Sequence, residues 1–157
     1  MFHNTLAERG NYNICSMRVL GVDIGARRVG LAISDRSRTL ARPLTTLEIA
    51  NAAEAVDRVA ETIARLRDEE DGLDMVVVGL PVKLDGSAGV ETARTVQFIE
   101  GLRSRVPVVI LTEDERLTSR EAESRLAVQE RDWRKRKKKL DAAAAAIILQ
   151  DYLDRSR

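Results

Sequence analysis

Histidine and cysteine are almost missing from this chain: 157 residues hold one of each, His3 and Cys15. A single cysteine excludes an internal disulfide framework and a cysteine-rich zinc centre. A single histidine, near the terminus, leaves a His-based triad or a multi-His metal site without its parts. Catalysis must therefore rest on carboxylates, hydroxyls, Lys or Arg. Long apolar runs are missing too, and none approaches the roughly 20 residues needed to cross a bilayer. Residues 1–16 lack the apolar core of a signal peptide, so a cytoplasmic protein with no membrane contact is expected. A large net charge is also absent, with 26 Lys and Arg against 25 Asp and Glu. Any affinity for nucleic acid has to come from how charge is distributed, not from its sum.

The length predicts one domain able to bury its own core. Residues 1–16 show neither helical nor strand periodicity and read as a flexible leader, with the folded domain spanning 17–157. The centre of that domain is Arg18-Val-Leu-Gly-Val-Asp23-Ile-Gly25-Ala-Arg-Arg-Val-Gly30-Leu-Ala-Ile-Ser34. It reads as a buried strand, a short glycine turn and an antiparallel second strand. Asp23 interrupts the apolar run at the end of the first strand. A carboxylate there is costly unless it is hydrogen-bonded or faces a cation, so chemistry is expected at Asp23. Gly25 and Gly30 permit positive φ or close backbone approach around it.

A third strand is expected over 39–47, at an edge or a bulge because of Pro43. Apolar residues recur at helical spacing over 51–67, and Asp71-Gly72 closes that helix. Met75 to Pro81 is a β-branched central strand, residues 83–87 a turn-rich loop, and 91–103 a helix. The next strand is predicted over 106–112. Thr118-Ser-Arg-Glu121 fits a capping box for a helix to about residue 129, and a last helix runs from 140 to 153. The order β-β-β-α-β-α-β-α-α describes an α/β mixed sheet with helices on its faces.

Three acidic positions sit at the ends of apolar elements: Asp23, the Asp114-Glu115 pair and Asp141. The carboxyl ends of strands form one rim in open α/β sheets, where ligands bind. Asp141, Ala145, Ile148 and Tyr152 share one helix face, so the helix can pack on the sheet with Asp141 at that rim. Clustered carboxylates need a cation, and hard oxygen donors without His or Cys suit Mg²⁺ or Mn²⁺. Two such ions would activate water and stabilise the leaving oxygen in phosphodiester hydrolysis. The structural alternatives are a favourable charge at a helix N-terminus for Asp141 and solvated loop acids for Asp114 and Glu115. Asp35 and Asp85 read as turn residues. The run Arg131-Asp-Trp133-Arg134-Lys135-Arg136-Lys137-Lys138-Lys139 combines phosphate attraction with one stacking surface immediately before Asp141.

Taken together, these segments resemble the YqgF/RuvX family of RNase H-like proteins. The resemblance rests on Gly21-Val-Asp23-Ile-Gly25, Val29-Gly30-Leu-Ala, Ala41-Arg42-Pro43-Leu44, Val78-Gly79-Leu80-Pro81, Asp85-Gly86, Asp114-Glu115-Arg116-Leu117-Thr118 and Asp141-Ala-Ala-Ala, in that order. It covers about residues 17 to 153. It implies an RNase H-like mixed five-stranded sheet and a metal-dependent acidic site at Asp23, Asp114-Glu115 and Asp141. It implies, as activity, nuclease action in pre-16S rRNA maturation or resolution of Holliday junctions. The RuvC resolvases carry an acid at the end of the fourth strand, where this chain has Gly79-Leu80-Pro81. The second acid must then come from the next strand, and Glu113, Asp114 and Glu115 all stay open. Arg42, Arg116 and Lys83 are candidates for phosphate contacts.

Metal-dependent hydrolysis of structured RNA, as 5′ maturation of the small-subunit rRNA precursor, is the leading functional expectation. Branched DNA is the rival substrate, and symmetric resolution would require a homodimer rather than a monomer. Two other classes are weighed against it. The Asp23-to-Gly30 spacing also fits the phosphate loop of sugar-kinase and actin-like ATPases, but those need two large domains. A non-catalytic RNA-binding module for ribosome assembly would keep the basic run and dispense with the acids.

Overall fold

The computed structural model describes residues 16–81, 89–114 and 133–156, with backbone alone for 133–140. Strands β1 (Arg18–Ile24) and β2 (Arg28–Ser34) form the expected hairpin, with Asp23 opposite Gly30. β3 (Ala41–Glu48) pairs antiparallel with β2 at the edge of the sheet. Its register slips opposite Leu31 and Ala32, beside Pro43, so the edge and the bulge occur together. Helix α1 (Ala52–Asp68) starts at Asn51, whose Oδ1 accepts the Glu54 amide at 2.9 Å. β4 (Leu73–Leu80), helix α2 (Val90–Arg103), β5 (Val109–Asp114) and helix α3 (Trp133–Arg155) complete the described elements. The five-stranded order is β3-β2-β1-β4-β5, with β4 parallel to both β1 and β5. The mixed sheet with helices on its faces is therefore observed as expected.

Two elements depart from the expected boundaries. The strand expected over 106–112 begins at Val109 and runs on through Thr112-Glu113-Asp114. The Val106 amide still bonds to Leu102 in the turn that leaves α2, and Pro107 has no amide to give a ladder. Val106 and Val108 pack on the core without pairing, while register with β4 carries the strand to Asp114 opposite Leu80. The last helix begins at Trp133, not at 140, and takes in the whole cationic run from Arg134 to Lys139. Lys and Arg are good helix formers, and neither Gly nor Pro occurs from 133 to 155. Asp141 thus lies in the third turn of α3 and does not open it. The helix expected over 118–129 and the loop at 83–87 lie outside the described residues.

Alternation along β1 divides the core. Leu20, Val22 and Ile24 face α1 and α2. Val19 and Gly21 face α3 with Ala32 and Val77. Ala145, Ile148, Leu149 and Leu153 cover this second face, and Tyr152 packs against it. The expected helix face of Asp141, Ala145, Ile148 and Tyr152 is the one on the sheet. Close approach explains the glycines: a Cβ on Gly21 would lie 2.8 Å from Leu149 Cβ, and one on Gly30 would run into the Asp141 carbonyl. Neither glycine has positive φ, so space and not backbone freedom selects them.

Arg18 closes the lower end of the sheet. Only 8% exposed, it donates from Nε to the Gly72 carbonyl (2.9 Å) and from Nη2 to the Leu66 carbonyl (3.2 Å) and Glu69 (2.9 Å). These groups belong to the end of α1 and the turn after it, where Gly72 takes φ +63°. Arg18→Met should remove the Arg18 bonds to the Gly72 and Leu66 carbonyls and to Glu69, the Leu66 carbonyl keeping the Glu69 amide as donor, and cost about 1–3 kcal/mol in a urea melt. Arg18→Lys should recover only part, because an ammonium lacks the guanidinium fork. An unchanged midpoint for Arg18→Met would show that the clasp adds nothing.

Candidate active site

Asp23 lies one residue from the end of β1, on the face covered by α3. Its half-buried position follows from strand alternation, since Val19 and Gly21 on the same face are both under the helix. The chain then reverses tightly, with the Gly25 amide donating to the Arg28 carbonyl at 2.8 Å. A Cβ on Gly25 would meet that same carbonyl at 2.9 Å. The reversal puts Arg28 on the α3 face, in line with Gly30 and Ala32.

Asp141 reaches this end of the sheet from above. Its backbone rests on Gly30, the residue opposite Asp23, so Asp23 and Asp141 share one face and one end. The Arg28 Nε donates to Asp141 Oδ2 at 2.7 Å, with side chains 24% and 26% exposed. Sequence reasoning did not single out Arg28. The one available signal was its place between Asp23 and Gly30, at the end of a tight turn.

The third acidic position is less simply placed. Asp23 follows Val22, which pairs with Val78; Gly79 comes next on β4 and pairs with Glu113. Glu113 therefore shares the α3 face, two strands away, at roughly 9–10 Å in Cα spacing. Its carboxylate is buried and ion-paired to Arg155 at the far end of α3. Asp114, one residue on, is exposed and has the opposite alternation. Glu115 lies outside the described residues. Among the described residues no group of three His, Cys, Asp or Glu is close enough to hold a metal ion. Two of the expected carboxylates are brought together, Asp23 and Asp141, and Asp114 is not.

The expected phosphate contacts divide in the same way. Arg42 is exposed on β3 opposite Ile33, which faces α1 and α2, and Ile33 pairs with Leu20. Arg42 is thus on the other face of the sheet from Asp23 and nearer its other end. Lys83 and Arg116 lie outside the described residues. Trp133, Arg134, Lys135, Arg136, Lys137, Lys138 and Lys139 are described as helical backbone, and their side chains lie outside the described set. Asp35 is a turn residue, as expected: its carboxylate accepts from Ser37 Oγ (2.7 Å) and the Thr39 amide (2.9 Å). Slight burial pushes its pKa up, but these bonds and the Leu40 amide outweigh it and hold the carboxyl below the usual range. Asp85 lies outside the described residues.

The donor chemistry at this end fits a hard divalent ion. Mg²⁺ is commonly held by one or two carboxylates, the rest of its shell being water and substrate phosphate. Asp23 and Asp141 supply such a pair, and Arg28 already places a cation against one of them.

The family model of RuvX, described as Holliday junction resolvase, matches residues 17–155. The chain belongs to the RuvX family. A relative from Caldanaerobacter subterraneus, named as a candidate pre-16S rRNA nuclease, is 43% identical over 142 residues, covering 88% of this chain and 96% of its own. One of the same name from Desulforudis audaxviator is 38% identical over 138 residues, covering 88% and 94%. Among solved structures, the fowlpox virus resolvase bound to Holliday junction DNA superposes with a TM-score of 0.55 at 15% identity. It covers 89% of this chain and 99% of the viral one. At that identity the likeness is one of fold. No helix among the described residues is long and apolar enough to cross a membrane.

Proposed function

We propose that this RuvX-family chain is a divalent-metal-dependent nuclease that cleaves phosphodiester bonds in structured RNA, in 5′ maturation of pre-16S rRNA. The observation that carries the site is the meeting of Asp23 and Asp141 on one face, across Gly30. The relatives' names carry the substrate. Asp23 and Asp141 would hold Mg²⁺ or Mn²⁺, and Glu115, the member of the expected acidic set outside the described residues, would complete it at a two-ion site. The ion would supply an activated water and charge stabilisation at the leaving oxygen. The chain's own residues fix the geometry: β1 presents Asp23 from the sheet and α3 presents Asp141 from above. Asp23, Arg28 and Asp141 are half-buried against one another, in a less polar medium than bulk water, which strengthens each charge interaction.

The basic run supports a polyanionic substrate. Six consecutive cations from Arg134 to Lys139 occupy the N-terminal part of α3, whose first turn holds no acid. That end of a helix is already positive, so the cations of its first turn, Arg134, Lys135 and Arg136, are each unfavourable by about 0.3–1 kcal/mol at low salt. A bound phosphate backbone removes that cost. Replacing Arg134, Lys135 and Arg136 with Gln should weaken RNA binding and lower the slope of log affinity against log salt. The slope should fall by roughly 0.7 for each single-strand phosphate that the protein no longer neutralises. An unchanged slope in a filter-binding titration would take the run out of the interface.

The direct test offers a labelled pre-16S 5′ fragment and a four-way DNA junction side by side, with Mg²⁺, Mn²⁺ or EDTA. Metal-dependent cutting of the RNA is the expected result. Cutting of the junction alone would transfer the reading to branched DNA, and cutting of neither would favour a binding module.

A further inference from the structure

Arg28 is ion-paired to Asp141 on the face that Asp23 and Asp141 share, yet metal-dependent cleavage by those two acids gives it no task. Two carboxylates at one end of a face repel unless a cation lies between them. Arg28 is hydrogen-bonded to Asp141 at 2.7 Å. It is also the diagonal cross-strand neighbour of Asp23, a spacing of roughly 7–8 Å between Cα atoms. Both ends of the Arg28–Asp141 pair are carried by fixed backbone. The Gly25 amide holds the Arg28 carbonyl, the Ile49 amide holds the Arg27 carbonyl at 2.9 Å, and Arg28 pairs with Glu48 on β3. Asp141 is held by the contact of α3 with Gly30. Only the side chains are left to rearrange.

We propose that Arg28 is a built-in placeholder for the divalent ion. In the metal-free protein its guanidinium neutralises Asp141 and keeps that carboxylate at the end of the sheet. An arriving ion takes Asp141 and displaces the guanidinium, which is then beside the site with a fork suited to a phosphate oxygen pair. Arg28 is in this sense a positioning residue, acting through Asp141. The inference rests on Asp23 and Asp141 being ion ligands.

Titration of the full chain with Mn²⁺, following free Mn²⁺ by electron paramagnetic resonance, tests it without any turnover. R28M should bind Mn²⁺ more tightly than the wild type by roughly three- to tenfold, because a competitor for Asp141 is gone. R28K should stay near the wild type, and R27M, which removes a neighbouring charge outside the pair, should change affinity by less than R28M. In EDTA, R28M should melt below the wild type, and saturating Mn²⁺ should narrow that gap. R28Q provides a second charge-free variant if R28M does not fold. Equal tightening by R27M and R28M would reduce the effect to general electrostatics and overturn the placeholder. Unchanged or weaker binding by R28M, with D141N losing the ion, would also overturn it while leaving the metal site standing. Mn²⁺ binding by D141N at wild-type strength would remove both.

Discussion

Asp23→Asn should leave the sheet standing and the RNA bound, and should stop the cutting. The substitution keeps the volume of a half-buried side chain and removes its charge, so the strand loses a ligand without gaining a cavity. Loss of an outer-shell partner of a metal ligand costs roughly 10–100-fold. Loss of the ligand itself should exceed that in single-turnover cleavage, with RNA affinity changed only a few-fold. Asp141→Asn should behave alike in cleavage and add a small loss of stability in EDTA, about 1 kcal/mol or less, since its pair with Arg28 is about a quarter exposed. Normal turnover by both variants would mean that these acids are not the site.

Gly30→Ala should damage both stability and cleavage. The added methyl would occupy the place of the Asp141 carbonyl and approach the Ala142 amide nitrogen to 3.0 Å. These are backbone atoms of a packed helix, so the collision cannot be relieved by a rotamer change and α3 must lift off β2. Overpacking of this kind costs about 1–3 kcal/mol. Here it also moves Asp141 away from Asp23, and a misplacement of about 1 Å at a reacting group can cost roughly a hundredfold in rate. Gly21→Ala is the comparison: its methyl meets Leu149 Cβ at 2.8 Å and the Ala145 carbonyl at 2.9 Å, one to two turns further along α3. Similar destabilisation with more cleavage retained is expected for Gly21→Ala. Urea melts and initial rates of both variants check this, and a Gly30→Ala protein with wild-type stability and rate would contradict the docking of Asp141 on β2.

Where pattern and structure agree, the information is local. The β1–β2 hairpin was legible because the apolar run, Asp23 and the glycines lie within one short stretch of chain. The sheet-facing side of α3 was legible because Asp141, Ala145, Ile148 and Tyr152 keep a helical period whatever lies beneath them. The start of α3 was not, because six consecutive cations carry no amphipathic period, and their charge reads as loop as readily as helix. The offset of β5 depends on pairing with β4, which a single strand's composition does not encode. Glu113 reaches the α3 face and Asp114 the other only through that register. The Arg28–Asp141 pair joins residues 113 positions apart, and neither side chain signals the other in sequence. The candidate site was thus readable at its two anchoring acids and unreadable in the cation paired to one of them.

The ion itself can be located by an anomalous difference map from crystals soaked in Mn²⁺, and the proposed cleavage stands or falls on where it is bound. The expected result is a peak shared by the Asp23 and Asp141 carboxylates, at about 2.0–2.2 Å from an oxygen of each. A peak held by other residues, with Asp23 and Asp141 both clear of it, would contradict the site from which that cleavage is derived.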